Sequence, residues 1–244
     1  MVRVTTLIAV IALAACANTG DEGMIVLNNT AVGSSCTLSG TTSQPFIAHG
    51  EIFARSPTGY VLTPLIQSRV MSASSVDDSQ RTIFLSGANI SLEVKAVSIE
   101  RADGSFVNGP AITLAQPQFS TLFSASLPPS GTVNVGFEMI PPQALRQILS
   151  ASGAGATDSM RAEVLATVNI LGTLGGDEIE SAPFSFPVSV CNNCVVNIVG
   201  TCPLPSGTPV RTGNACNAFQ DGAVDCCLNG DSAICPATVA TSLQ

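Results

Sequence analysis

The chain has 244 residues, of which 45% are hydrophobic and 11% charged, with a formal net charge of −8. That length allows one large β domain or two smaller ones, with enough chain for a real core. High hydrophobicity beside low charge excludes intrinsic disorder, and nine Lys plus Arg against 17 Asp plus Glu argue against a nucleic-acid partner. One His and no Trp remove most routes to His-based catalysis and to Trp-lined ligand sites.

Residues 1–15 read as a signal peptide. Arg3 supplies one positive charge, and residues 4–15 form a largely apolar run. A spanning helix needs about 20 such residues, so this run has the length of a signal core instead. It ends in Leu13-Ala14-Ala15-Cys16, two small residues before a thiol. This motif resembles the lipobox of bacterial lipoproteins. The resemblance implies that Cys16 becomes the acylated, palmitate-bearing first residue of the mature chain, and two or more acyl chains suffice for stable anchoring. Ala17 stands where an Asp would resemble an inner-membrane retention signal, which favours the outer membrane.

Residues 16–23 are short and polar and read as a lipidated tether. Residues 24–190 read as one β domain with strands expected at 25–27, 47–54, 60–70 and 82–85. Ile90, Leu92, Val94 and Ala96 alternate with polar neighbours. Strands at 112–114 and 120–127 follow. Alternation returns at Val133, Val135, Phe137 and Met139, at Ala162 through Ile170, and at Phe184, Phe186, Val188 and Val190. Period 2 with one apolar face marks half-buried antiparallel strands. Turn signals such as Pro57-Thr58-Gly59 and Gly175-Gly176-Asp177 separate them. Residues 160–190 are the clearest hairpin. One helix opens at Pro141-Pro142, gathers Leu145, Ile148 and Leu149 on one face, and stops near Gly153. The expected fold is mainly β, an antiparallel immunoglobulin- or fibronectin-like sandwich with one short helix and a disulfide-rich C-terminal tail.

Residues 191–244 change character, with Gly, Pro, Asn and Cys prominent and Phe219 the sole aromatic. Such a piece needs disulfides to hold it, either as its own module or as a wrap over the sandwich. Beyond Cys16, eight cysteines remain: Cys36, Cys191, Cys194, Cys202, Cys216, Cys226, Cys227 and Cys235. An even number in an exported chain reads as disulfides. If all pair, Cys36 must reach the tail, because seven cysteines cannot pair among themselves. Adjacent Cys226 and Cys227 need different partners. Eight cysteines allow 105 connectivities before that restriction, and spacing does not choose among those that remain. Cys191-Asn192-Asn193-Cys194 has zinc-knuckle or redox spacing. No second CxxC and no nearby His accompany it, and a β-prone run follows where a redox motif has a helix, so no metal or cofactor is expected.

Several stretches resemble Cys-rich envelope lipoproteins of unknown function that are frequent in myxobacteria and their relatives. They are Gly33-Ser34-Ser35-Cys36, Gly50-Glu51, residues 60–70, Thr173-Leu174-Gly175-Gly176, residues 186–194 and residues 220–227. The resemblance implies no activity, substrate or catalytic residue.

Chemistry-bearing candidates are sparse. His49 lies in an expected strand, and the chain has no G-x-S-x-G, so no Ser-His-Asp set is visible. Asp77-Asp78 sits in a polar loop. Asp177, Glu178 and Glu180, and Asp221, Asp225 and Asp231, are carboxylate groups near glycines without EF-hand spacing, and read as turn formers. The phenylalanines read as core. Together these features suggest a non-catalytic cell-envelope lipoprotein at the outer membrane or cell surface, a binding or structural module partnered by the membrane and by other envelope proteins. The alternatives are an extracytoplasmic hydrolase with an unfamiliar site, or a metal or redox module in the Cys-rich tail.

Overall fold

A computed structural model describes residues 23–72, 78–230 and 232–237. Cys16, with the leader and most of the tether, lies outside the described residues, as do Asp77 and Asp231. The strands run, in chain order, β1 Met24–Thr30, β2 Phe46–Ile47, β3 Gly50–Phe53, β4 Tyr60–Leu62, β5 Pro64–Ser68, β6 Ile83–Glu100, β7 Phe106–Asn108 and β8 Gln118–Leu127. They continue as β9 Thr132–Asn134, β10 Phe137–Ile140, β11 Ser159–Leu174, β12 Asp177–Glu180, β13 Phe184–Cys191, β14 Val196–Thr201, β15 Val224–Asn229 and β16 Ser232–Ile234. One helix, α1, spans Pro142–Ala151. Among the described residues no helix is long and apolar enough to cross a membrane.

The chain is mainly β and packs as a sandwich. The larger sheet is built on the β6–β11 ladder, which pairs Ser159 with Glu100 at one end and Thr173 with Phe84 at the other. β8 and β7 flank β6, while β12 and β13 flank β11, and β3 closes the sheet beside β13. The opposing layer holds β2, β1, β5 and β9, with β4 and β10 continuing the lines of β5 and β9. Most pairs are antiparallel; β3 with β13 and β14 with β15 are parallel.

Alternation explains the packing. Along β11, Ala162, Val164, Ala166, Val168 and Ile170 are buried while Arg161 and its period-2 companions face outward. Tyr60, Leu62, Phe137 and Met139 meet them from the other layer within one hydrophobic cluster. Tyr60 lies against Phe186 and Phe123 stacks on Phe137, with centroids 6.0 and 5.0 Å apart, so aromatic pairs bridge the layers. α1 starts at Pro142, after Pro141 in an extended conformation, and buries Ala144, Leu145 and Ile148. Gly153 follows with φ +75°, a conformation that costs glycine little.

The structure redraws several expected strands. The strands expected at 82–85 and 90–96 are parts of one 18-residue strand, β6, which begins at Ile83. The 60–70 run breaks at Thr63, whose N–H and hydroxyl both donate to Asn29 Oδ1. The 47–54 run splits between layers, since β2 pairs with β1 and β3 with β13. Residues 112–114 form no strand, although Ile112 and Leu114 are buried. Gln147 of α1 satisfies the Thr113 carbonyl and the Ala115 N–H that a ladder would otherwise take. Phe46, Phe84 and Phe106 are 64%, 53% and 74% exposed, so the phenylalanines are not all core.

The tail wraps the sandwich. Disulfides join Cys36 to Cys216, Cys191 to Cys194, Cys202 to Cys227 and Cys226 to Cys235. Cys226 and Cys227 therefore have different partners. The Cys36–Cys216 link closes a span of 180 residues, for which chain entropy allows about 5 kcal/mol. Two of the bridges knit β14, β15 and β16 around a small cluster of Cys227 and Ala237, bordered by Leu204, Val210 and Ile234.

Candidate functional site

Two polar clusters draw on residues far apart in sequence. The first is the junction between tail and sandwich. Backbone pairing begins it: Phe53 N–H donates to the Phe219 carbonyl at 3.0 Å, and Asp221 N–H to the Glu51 carbonyl at 2.8 Å. Phe219 also stacks on Phe53. The outer edge of β3 is thereby covered by residues 219–221.

Asp221 sits at φ 52°, in the left-handed region that Asp tolerates better than most residues. Its Oδ1 accepts the Glu51 N–H at 2.9 Å. Its Oδ2 accepts the Tyr60 hydroxyl at 2.8 Å and a Gln220 amide hydrogen at 3.1 Å. Burial pushes the Asp221 carboxyl above its ordinary value, with the Glu51 charge adding to the rise; the three donors offset part of it. Burial, and then Asp221, push the Tyr60 phenol upward as well. Gly50 makes the contact possible, because a Cβ there would lie 2.5 Å from the Tyr60 hydroxyl. Gln220 reads the β4 backbone in both directions, accepting from Val61 N–H at 2.8 Å and donating to its carbonyl at 3.0 Å. Asn217 donates to the Gly59 carbonyl and accepts from Thr58. An open groove of about 690 Å³ runs between residues 31–34 and 212–215, with Asp221 on its wall.

The second cluster lies on the outer face of the larger sheet, where register aligns Glu163, Ser189 and Glu51 across three strands. His49 Nε2 is 2.8 Å from Ser189 Oγ and 3.6 Å from Glu163 Oε2. Ser189 donates to Glu163 Oε1 at 2.7 Å. Its hydrogen is thus engaged by the carboxylate, and the bonding assigns His49 Nε2 as a donor to Ser189 Oγ. A nucleophilic serine needs the reverse, with the imidazole accepting the hydroxyl proton and a carboxylate holding its other nitrogen. Ser189 is also fully buried. This trio orders a sheet row and does not activate an alcohol.

Beside it, Arg161 donates to Glu51 Oε1 at 2.8 Å, and the same oxygen lies 3.9 Å from Cys191 Sγ. The ligand atoms of Glu51, Cys191 and Cys194 fall within 4.8 Å of one another. With the two sulfurs joined, no thiolate is offered to a metal, and the remaining carboxylate already pairs with Arg161.

The other candidates are dispersed. Asp177, Glu178 and Glu180 line β12, a short exposed strand after the Gly175-Gly176 turn. Asp78 opens a short 3-10 turn. Asp225 was expected as a turn residue; it is instead buried in β15 and paired with Arg211, whose Nε and Nη2 both reach Oδ1. The Arg211 side chain, its backbone N–H and Asn197 hold the Asp225 carboxyl well below the usual range. Sequence reasoning missed Tyr60, Gln220 and Asn217 as a group, because only the fold brings them together.

The outer face also carries a shallow hollow of about 450 Å³. Asn89, Ser91, Gln118, Ser120, Thr167 and Asn169 line it, all uncharged. No protein-family model and no curated protein matches the chain.

Proposed function

We propose that this chain is a non-catalytic cell-envelope lipoprotein, anchored through Cys16, that works as a binding or assembly module outside the cytoplasm. The Cys36–Cys216 bridge carries the reading. It fastens a tail with little apolar core across a sandwich, a build that persists in an oxidising compartment. The lipobox-like sequence ending in Cys16 supports the anchor. The hollow on the outer face, lined mainly by uncharged hydroxyl and amide side chains, offers contact area, and the polar clusters serve the fold.

Detergent-phase partitioning of the full chain tests the anchor. The wild type should partition with the detergent and carry an acylated N-terminal peptide, while Cys16→Ala should move to the aqueous phase. Equal partitioning of the two would sink the anchor. For the non-catalytic part, a hydrolase panel with wild type and Ser189→Ala should show no activity that depends on Ser189. Turnover abolished by that substitution in a folded protein would overturn the reading.

A further inference from the structure

A strand at the edge of a sheet presents unpaired N–H and C=O groups, and proteins ordinarily blunt such edges with charge, proline, brevity or cover. This chain does so repeatedly. The outer edge of β3 is covered by residues 219–221. β2, β7, β9, β10 and β16 have two to four residues each. β12 carries three acidic side chains in four residues. β14 is six residues long and its register shifts between Ile198 and Gly200.

β8 departs from this pattern. It has ten residues, Gln118–Leu127, with neither a charge nor a proline. Among the described residues it pairs only with β6, and no backbone hydrogen bond leaves its other edge. A register shift near Gly87 divides its ladder, and the regular run is Gln118–Leu122. That run ends at Leu122, which is 87% exposed, the highest value among the exposed large hydrophobic side chains. A groove of about 510 Å³ between this edge and α1 leaves the strand approachable.

We propose that β8 is the contact through which two copies of this chain pair, antiparallel and edge to edge across a two-fold axis near residues 120–122. The occupant follows from charge and symmetry. Each chain carries a net charge of −8, so copies repel unless they meet at a surface of low charge; this run carries none, and Glu138 is the one charged residue lining the groove beside it. An antiparallel edge is also complementary to itself under a two-fold axis, which requires no second protein. Pairing would join the two larger sheets into one and cover Leu122 with the copy's outer-face side chains. The inference goes beyond the anchored-module reading and does not depend on the lipid.

Cysteine cross-linking of the full chain in intact expressing cells, whether or not it is membrane-bound, tests it. Ser120→Cys, Leu122→Cys and a control, Lys95→Cys, are treated with a short bismaleimide, with wild type giving the background. Lys95 is also exposed but lies away from this edge. Dimer should form at least tenfold more at position 120 or 122 than at 95. Adding Leu122→Lys to Ser120→Cys should cut that yield at least tenfold, since each copy then brings a charge to the edge. Yields no higher than the control, or unaffected by Leu122→Lys, would overturn the proposal.

Discussion

The sandwich and the tail hold their shapes by different means. Across the two layers, strands and α1 share one continuous apolar cluster running from Met24 to Val190. Among the described residues of 196–237, the fully buried apolar side chains are Val224, Cys226, Cys227 and Ala237. Three disulfides and the Asp221, Gln220 and Asn217 hydrogen bonds supply what that apolar area does not. Hydrophobic burial is non-directional and tolerates substitution of similar volume. Covalent links and buried hydrogen bonds are directional, so each depends on one specific partner. The sandwich should therefore answer to lost buried volume, and the tail to the loss of a specific partner.

The largest expected effect lies in the sandwich. Phe186 is 2% exposed and touches Tyr60 and Phe184 from the core side. Phe186→Ala should cost about 3–5 kcal/mol through lost transfer energy and the cavity left behind. Urea unfolding would show it, and hydrogen exchange should accelerate in both regions together, since the tail docks on β3 and β4. Retained protection in the tail would show that it folds without the sandwich.

Next comes the double substitution Cys36→Ser with Cys216→Ser. Losing the long closure should cost about 2–4 kcal/mol, below the chain-entropy limit because the other contacts persist. Exchange should speed up over residues 212–222 while β6 and β11 keep their protection. Equal loss in β11 would break the comparison and make the molecule one cooperative unit. Asp221→Ala should cost less, about 2 kcal/mol, by leaving the Tyr60 hydroxyl and the Glu51 N–H without their acceptor. Its exchange pattern should resemble that of the lost disulfide. A neutral effect would mean that the disulfide alone docks the tail.

The two regions were also unequally legible in the sequence. Alternation over 162–170 and 184–190 marks strands because one face of each is buried, and that pattern is local. Where tertiary contacts decide, local pattern fails. The break at Thr63 comes from Asn29, and the non-strand at 112–114 comes from Gln147. In the tail, counting cysteines pointed Cys36 toward a tail partner if every thiol pairs, but Cys216 could not be chosen from spacing. The junction was least legible, since Asp221 meets Glu51 and Tyr60, whose separations of 170 and 161 residues leave no periodic trace.

The smallest and most discriminating effect is on pH dependence, where two tail aspartates should act with opposite sign. Asp221 has a folded pKa raised by burial and by the Glu51 charge, and Tyr60 faces it as a neutral donor. A raised acid favours the protonated form in the folded state. Its contribution to stability grows as pH falls through the folded value and is complete below the unfolded value, about 3.9. Asp225 is depressed by Arg211 and Asn197. Its contribution is present above about 3.9 and is lost as pH falls through the lower folded value. Tail protection in the wild type should therefore rise on mild acidification and fall again in stronger acid. Asp221→Asn should remove the rise, even though an amide cannot satisfy all three donors and lowers the overall level. Asp225→Asn should remove the later fall. Slopes unchanged in both variants would mean that the tail is held without reference to either carboxylate, leaving its stability to the disulfides.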